Sequence, residues 1–203
     1  MKIRTAATAA LTLATVLSLA GCASNGGSGS ESMPGMDHGS TRMPSASSSA
    51  SAEFSDADVM FATMMIPHHQ QAVEMADVIL AKEGIDEDVV TLAENIKAAQ
   101  QPEIDQLQSW LEEWGADTEA MSDMGHGGGM MGDEDMAALE TATGAEASRL
   151  FLEEMTTHHE GAIQMAQDEI DNGQNTDAIE MAQNIVDSQT AEIAMMQDLL
   201  TQF

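Results

Sequence analysis

Between residues 55 and 203 the apolar positions recur every three to four residues and nowhere alternate in twos, so the pattern predicts helices and no strands. Four amphipathic helices are expected, over roughly 56–82, 86–114, 145–171 and 176–202. Ser55 is the expected N-cap of the first, with Asp56 and Asp58 in its first turn and Gly84 just past its end. The second stops at Gly115 and the third at Asn172-Gly173; Asn175 or Thr176 caps the fourth. Pro67 and Pro102 fall inside the first two helices, where a missing backbone donor should bend each one.

The pattern is written twice. The first helix reads Phe61-x3-Met65-x2-His68-His69-x2-Ala72-x2-Met75-Ala76, and the third reads Phe151-x3-Met155-x2-His158-His159-x2-Ala162-x2-Met165-Ala166. The second and fourth helices share Ala-x-Asn-Ile-x3-Gln-x2-Glu-Ile, from Ala93 to Ile104 and from Ala182 to Ile193. One helical hairpin therefore occurs twice, and two such hairpins bury their apolar stripes by packing into an all-α four-helix bundle. The Gly-, Met- and Asp-rich stretch at about 115–144 joins them. It is long for a connection inside one domain.

At about 100° per residue, the His pairs point the same way as the apolar stripe. Phe61, Met65, His68, His69, Ala72, Met75, Ala76 and Ile79 share an arc of roughly 120°, opposite Gln70, Glu74 and Asp77. The third helix repeats this with Met155, His158, His159, Ala162, Met165 and Ala166. Gln100 and Glu103 lie inside the stripe of the second helix, as Gln189 and Glu192 do on the fourth. Each hairpin thus turns His-His and Gln-x-x-Glu toward a shared interior. A carboxylate there needs partners, and the facing histidines can supply them. Two readings follow: a structural His–Glu network, or a Glu that orients a His whose other nitrogen binds metal.

The first 21 residues read as a signal peptide, with Lys2 and Arg4 ahead of an apolar run too short to span a membrane convincingly. Leu19-Ala20-Gly21-Cys22 resembles a bacterial lipobox, which implies lipid on Cys22 and a protein held to the outer face of a bacterial membrane by that anchor alone. Residues 22–54, rich in Ser and Gly, then form a flexible tether before the domain at 55–203. Cys22 is the only cysteine, so disulfides within the chain and Cys-based metal sites are excluded.

The 35 acidic residues against 6 basic, a net charge of -29, exclude nucleic acid as a partner. Methionine is abundant, at 18. Two stretches carry Met-x2-Met-x-His: Met33, Met36 and His38 in the tether, and Met121, Met124 and His126 in the connection, followed by Met130 and Met131. In such polar surroundings methionine has no core to fill. Thioether with imidazole suits Cu(I), and by the same softness Ag(I). No Ser elbow, usable Cys or phosphate loop is present, so no enzymatic activity and no organic cofactor are expected.

From Phe61 to Ala76, from Phe151 to Ala166 and in both Gln-x-x-Glu-Ile segments, the chain is similar to the domain-of-unknown-function 305 family. The resemblance covers about 55–203. It implies a ferritin-like four-helix domain, usually exported, with copper binding through His and Met in some relatives. On that analogy His68, His69, His158 and His159 are carried over, with Met65, Met75, Met155 and Met165. Thr157 replaces the Pro that precedes the first His pair. The expected function is lipid-anchored extracytoplasmic Cu(I) sequestration or transfer through His and Met. The alternatives are a metal-free helical module at the cell surface and a ferritin-like di-iron protein. The last would use Glu-x-x-His on two helices, and no Glu stands three residues before any histidine here.

Overall fold

The computed structural model describes residues 53–116 and 128–203. The expectations placed on Cys22, Met33, Met36, His38, Met121, Met124 and His126 lie outside those residues. Five helices are described: α1 (Asp56–Leu80), α2 (Glu87–Trp114), α3 (Asp133–Thr141), α4 (Gly144–Asn172) and α5 (Thr176–Leu200). The four long ones match the four expected from the apolar period, within two residues at each end. Ser55 caps α1 in a reciprocal box with Asp58, Gly115 closes α2 in the left-handed region at φ 61°, and Asn175 caps α5. Pro67 and Pro102 are both inside continuous helices.

The connection corrects one expectation. The apolar period predicts no helix between 115 and 144, yet the second part of this stretch forms α3, whose Leu139 is fully buried. The apolar period is too short there to show against the surrounding Asp and Gly. One large side chain, with Met131 and Met136 packed beside it, is enough to dock the segment. Lys82 at the end of α1 donates to the carbonyls of Glu140 and Ala142, at 2.7 and 2.9 Å, and so ties down the far end of α3.

Hairpin α1/α2 and hairpin α4/α5 meet mainly through α1 and α4, while α2 and α5 hardly touch. Helices α1 and α4 run antiparallel. Phe61, Ala62 and Met65 share one apolar cluster with Ala162 and Ala166, and Ala72, Met75 and Ile79 share the other with Phe151, Leu152 and Met155. The alanines keep the helices close, and the His pairs fall between the two clusters, where the helices cross. No described helix is long and apolar enough to cross a membrane.

Candidate metal centre

His68, His69, His158 and His159 are all fully buried. Four imidazoles in one layer of an apolar bundle are there because the repeat puts them on the core stripe of α1 and α4. At the crossing the His68 and His158 rings meet, with centroids 3.8 Å apart and a tilt of 41°. The other two histidines turn outward within their own hairpins. His69 Nε2 lies 2.8 Å from Glu103 Oε2 on α2, and His159 Nε2 lies 2.6 Å from Glu192 Oε2 on α5. The expected pairing of each Glu with a His across its hairpin is present in both halves. Burial of the carboxylates is not: Glu103 and Glu192 side chains keep 23% and 19% of their exposure and sit at the rim. A carboxylate that keeps some water avoids most of the cost of desolvation and still reaches the buried ring.

A third histidine is held by something the sequence pattern did not show. The backbone of Gly128–Met131 crosses the bundle as a strap. Its Gly128 carbonyl lies 3.3 Å from His68 Nε2. Gln71 grips the strap at both backbone atoms of Met131, donating to its carbonyl at 2.9 Å and accepting from its N–H at 2.8 Å. Beneath the strap lies Gly161 of α4. A Cβ there would fall 1.8 Å from the Gly128 oxygen, so only glycine lets the strap approach. Gly129 crosses at φ 90°, again a glycine conformation.

These contacts determine the tautomers. A carboxylate or carbonyl oxygen can only accept, so His68, His69 and His159 each donate from Nε2–H. In the neutral rings Nδ1 is then a lone pair. None of these three Nδ1 atoms has a hydrogen-bond partner, and neither nitrogen of His158 has one. Burial, aided by the neighbouring His69, lowers the His68 pKa to about 4. Burial and the His68 and His159 charges push His158 well below the ordinary range. Both are therefore neutral near pH 7, the form that binds metal. Gln100, and Gln189 at its Oε1, add buried polar atoms without partners one turn from each Glu. Unpartnered buried polar atoms are costly, about 1–3 kcal/mol each, and their concentration in one layer suits a layer built to receive a ligand.

Met65 and Met155 are fully buried one turn before each His pair, and Met75 is fully buried in the α3-side cluster. Met165 is only half-buried and lines a groove on the outer side of α1 and α4. Met130 and Met131 are both half-buried. Met131 packs against the core, which corrects the expectation that it has no core to fill. Among the described residues no three His, Cys, Asp or Glu side chains converge as a metal site. Four-ligand zinc or a carboxylate-bridged iron pair would need such convergence. Two neutral imidazoles with thioethers nearby instead suit a soft monovalent ion.

Fold and site together define a bundle of two repeated hairpins with a doubled His-His pair at its core. The chain belongs to the DUF305 family (domain of unknown function), whose model matches residues 58–200. It is similar to a DUF305 protein from Streptomyces coelicolor, provisionally designated secreted, at 34% identity and TM-score 0.67, covering 72% of this chain and 93% of that one. A DUF305 fragment from Deinococcus radiodurans is 28% identical at TM-score 0.64, over 73% and 98%. CopM in its Cu(I)-bound form is 30% identical at TM-score 0.59, over 71% and 96%. CopM is also solved in Cu(II)-bound, Ag-bound and apo forms. No protein of curated function matches the chain.

Proposed function

We propose that this protein binds Cu(I), and Ag(I) by the same softness, in the buried histidine layer where α1 and α4 cross. The observation that carries the reading is the set of lone pairs. Three histidines are held by Nε2–H with Nδ1 unpartnered, and His158 has two free nitrogens, in a dry layer with no competing base. His68 and His158 are the ligands. His69 and His159 flank them, and Met65 and Met155 supply thioether from the same helices. Glu103 and Glu192 raise the basicity of their rings and hold them in place. The similarity to CopM, solved with Cu(I), Cu(II) and Ag, supports the reading.

The Met-x2-Met-x-His stretches, with Met33, Met36 and His38 in one and Met121, Met124 and His126 in the other, capture ions on the way to that layer. Met130 and Met131 continue the second stretch up to the strap. Cys22 carries the lipid that keeps the protein outside the cell, and the protein sequesters or passes on metal without catalysing a reaction. A metal-free surface module is the other reading. It is supported by the two His–Glu pairs, which are complete without an ion. It leaves the His68/His158 contact, with three nitrogens lacking any partner, without a purpose.

Competition of the full chain against a Cu(I) chelator tests this. The His68→Ala/His158→Ala variant is expected to lose the tightest equivalent while the methionine stretches still bind weakly. Equal affinity in the variant and the parent chain would remove the buried site. Addition of Ag(I) should also raise the melting temperature of the parent chain, because a ligand of the native state alone stabilises it.

A further inference from the structure

The outer face of the α1/α4 pair is covered unevenly along its length. On α1 it follows Met60, Met64, Gln71, Val78 and Lys82, close to a heptad stripe. The strap crosses its middle at Gln71 and Gly161, and α3 fills the end at Val78 and Lys82. The opposite end is open. There Met60, Phe61 and Met64 of α1 face Met165, Asp168 and Glu169 of α4 across a groove of about 550 Å³.

The repeat shows that packing did not demand Met60 or Met64. Ninety positions on, Met60 and Met64 correspond to Leu150 and Glu154, which lie at the end where α3 docks. At the open end Met60 keeps 40% of its exposure, and Met64 and Met165 are half-buried. Exposed thioethers are open to oxidation, so their presence needs another reason. The charged groups lining the groove are all acidic: Asp56, Asp168 and Glu169. Glu169 is 1% exposed, and its carboxyl has no partner other than the Asp58 carboxyl beside it. Three soft donors beside a rim with carboxyls and no basic group fit a soft cation; an anion or a basic-free apolar peptide would gain nothing from that rim.

We propose that Met60, Met64 and Met165, backed by the Glu169 carboxyl, form a second site for a monovalent soft cation, separate from the buried histidines. Thioethers do not titrate, so its ligands need no proton release on binding. It stands at the open end of the same face of the α1/α4 pair on which the strap reaches His68, which makes it a surface station beside the buried layer.

The test uses Ag(I) as the probe, the full chain labelled with 13C at the methionine methyls, and assignment of each signal by single Met→Leu variants. These swaps nearly conserve volume and are tolerated well in a packed site. The Met60, Met64 and Met165 signals are expected to shift together as a single Ag(I) binds there, in the parent chain once the histidine layer is filled and in the His68→Ala/His158→Ala variant from the first addition. The triple Met→Leu variant is expected to bind one equivalent fewer. Signals that stay still, or that move only when the histidines are intact, would overturn the site. The second variant also separates this outcome from failure of the buried centre. Glu169→Gln should weaken the site about tenfold, and unchanged affinity would remove Glu169 from it.

Discussion

At one end of the α1/α4 pair, the Asp58 carboxylate accepts N–H groups from Gln174 and Asn175 in the turn before α5. At the other, the Ser148 hydroxyl accepts a single N–H, from Asp86 in the turn before α2. The two residues are ninety positions apart, and their partners Asn175 and Asp86 are the N-caps of the equivalent helices. The repeat therefore keeps the same joint twice and builds it from different chemistry. Beneath Asp58 lies the buried Glu169, whose position in the other half is taken by Ile79. One end is an acidic joint beside an open methionine groove. The other is a neutral joint covered by α3. The histidine layer between them stays symmetric, with His69–Glu103 matched by His159–Glu192. Duplication preserved the chemistry of the centre and left the ends free to diverge.

The sharpest way to break the comparison is at Asp58. Its carboxylate also accepts from Ser55, both at the backbone N–H and at the hydroxyl, so it caps α1 and ties α1 to the next hairpin at once. Asp58→Ala should cost on the order of 3 kcal/mol, because bonds to a charged acceptor are lost and buried N–H groups are left behind. Urea denaturation followed by circular dichroism measures it. A cost below that of the Ser148 variant would show that the two joints are not ranked by charge.

The next test concerns the strap, where the halves differ most directly. Gln71 and Gly161 are equivalent positions of the repeat, and the strap uses both, gripped by the amide on one helix and admitted by the missing Cβ on the other. Gly161→Ala sets a methyl against the Gly128 carbonyl and should lift it from His68 Nε2. Isolated helix propensity would favour the alanine by about 1 kcal/mol. The expected result is Cu(I) affinity lowered about tenfold, since an outer hydrogen bond to a ligating His is lost. Gln71→Ala should act in the same direction. Unchanged Cu(I) competition in both would mean the strap does not orient His68.

Much of this architecture is legible in the sequence. The 3.6-residue period, the caps at Ser55, Gly115 and Asn175, and the doubled hairpin follow from local rules that packing had no reason to override. The inward histidines and their Glu partners were legible for the same reason, because helical spacing fixes which side chains share a face. The strap was not, since its contacts run through backbone atoms of Gly128 and Met131, which no side-chain pattern encodes. One trace was present: Gly161 interrupts the middle of a helix where its repeat partner is Gln71, and a glycine there needs a packing reason. Glu169 gave no trace. It reads as one more acid in an acidic chain, and only the approach of α1 to the α4–α5 turn brings it against Asp58.

The same contrast has a pH signature. Burial, the hydrogen bond to Asp58 and its charge raise the Glu169 pKa to about 8. Burial, with the Asp135 and Glu153 charges, raises Glu154 at the covered end to about 7. A carboxyl whose pKa is higher in the folded chain carries an extra proton there, so stability falls as pH rises from its ordinary value to its folded one. Both contribute from about 4.5 upward, and Glu169 alone continues from about 7 to 8. Thermal melts should show the parent chain losing stability across that last interval, Glu154→Gln keeping the loss, and Glu169→Gln abolishing it. An equal slope in both variants would mean the two ends are not distinguished by where their protons sit.

Ser148→Ala should have the smallest effect of the set. The hydroxyl makes one long bond to the Asp86 N–H, at 3.3 Å, and another of the same length to the Gly144 carbonyl of its own helix. A neutral bond of that kind contributes about 0.5–1.5 kcal/mol, and at the long end of the range the lower figure applies. Its loss is offset further because Asp86 caps α2 with its own carboxylate, which accepts from Asp88 at 2.9 Å and does not depend on Ser148. Position 148 is fully buried, and an alanine there brings no polar atom of its own that would need a partner. Ser148→Asp is the stricter variant, because it writes the chemistry of the first joint into the second. With Ile79 at the repeat position of Glu169, the new carboxylate would have the turn N–H of Asp86 and no second carboxyl with which to share a proton. The variant should therefore be less stable than Ser148→Ala by urea denaturation. If it were more stable, Asp58 would owe its place to the turn alone, and Glu169 would have no part in that joint.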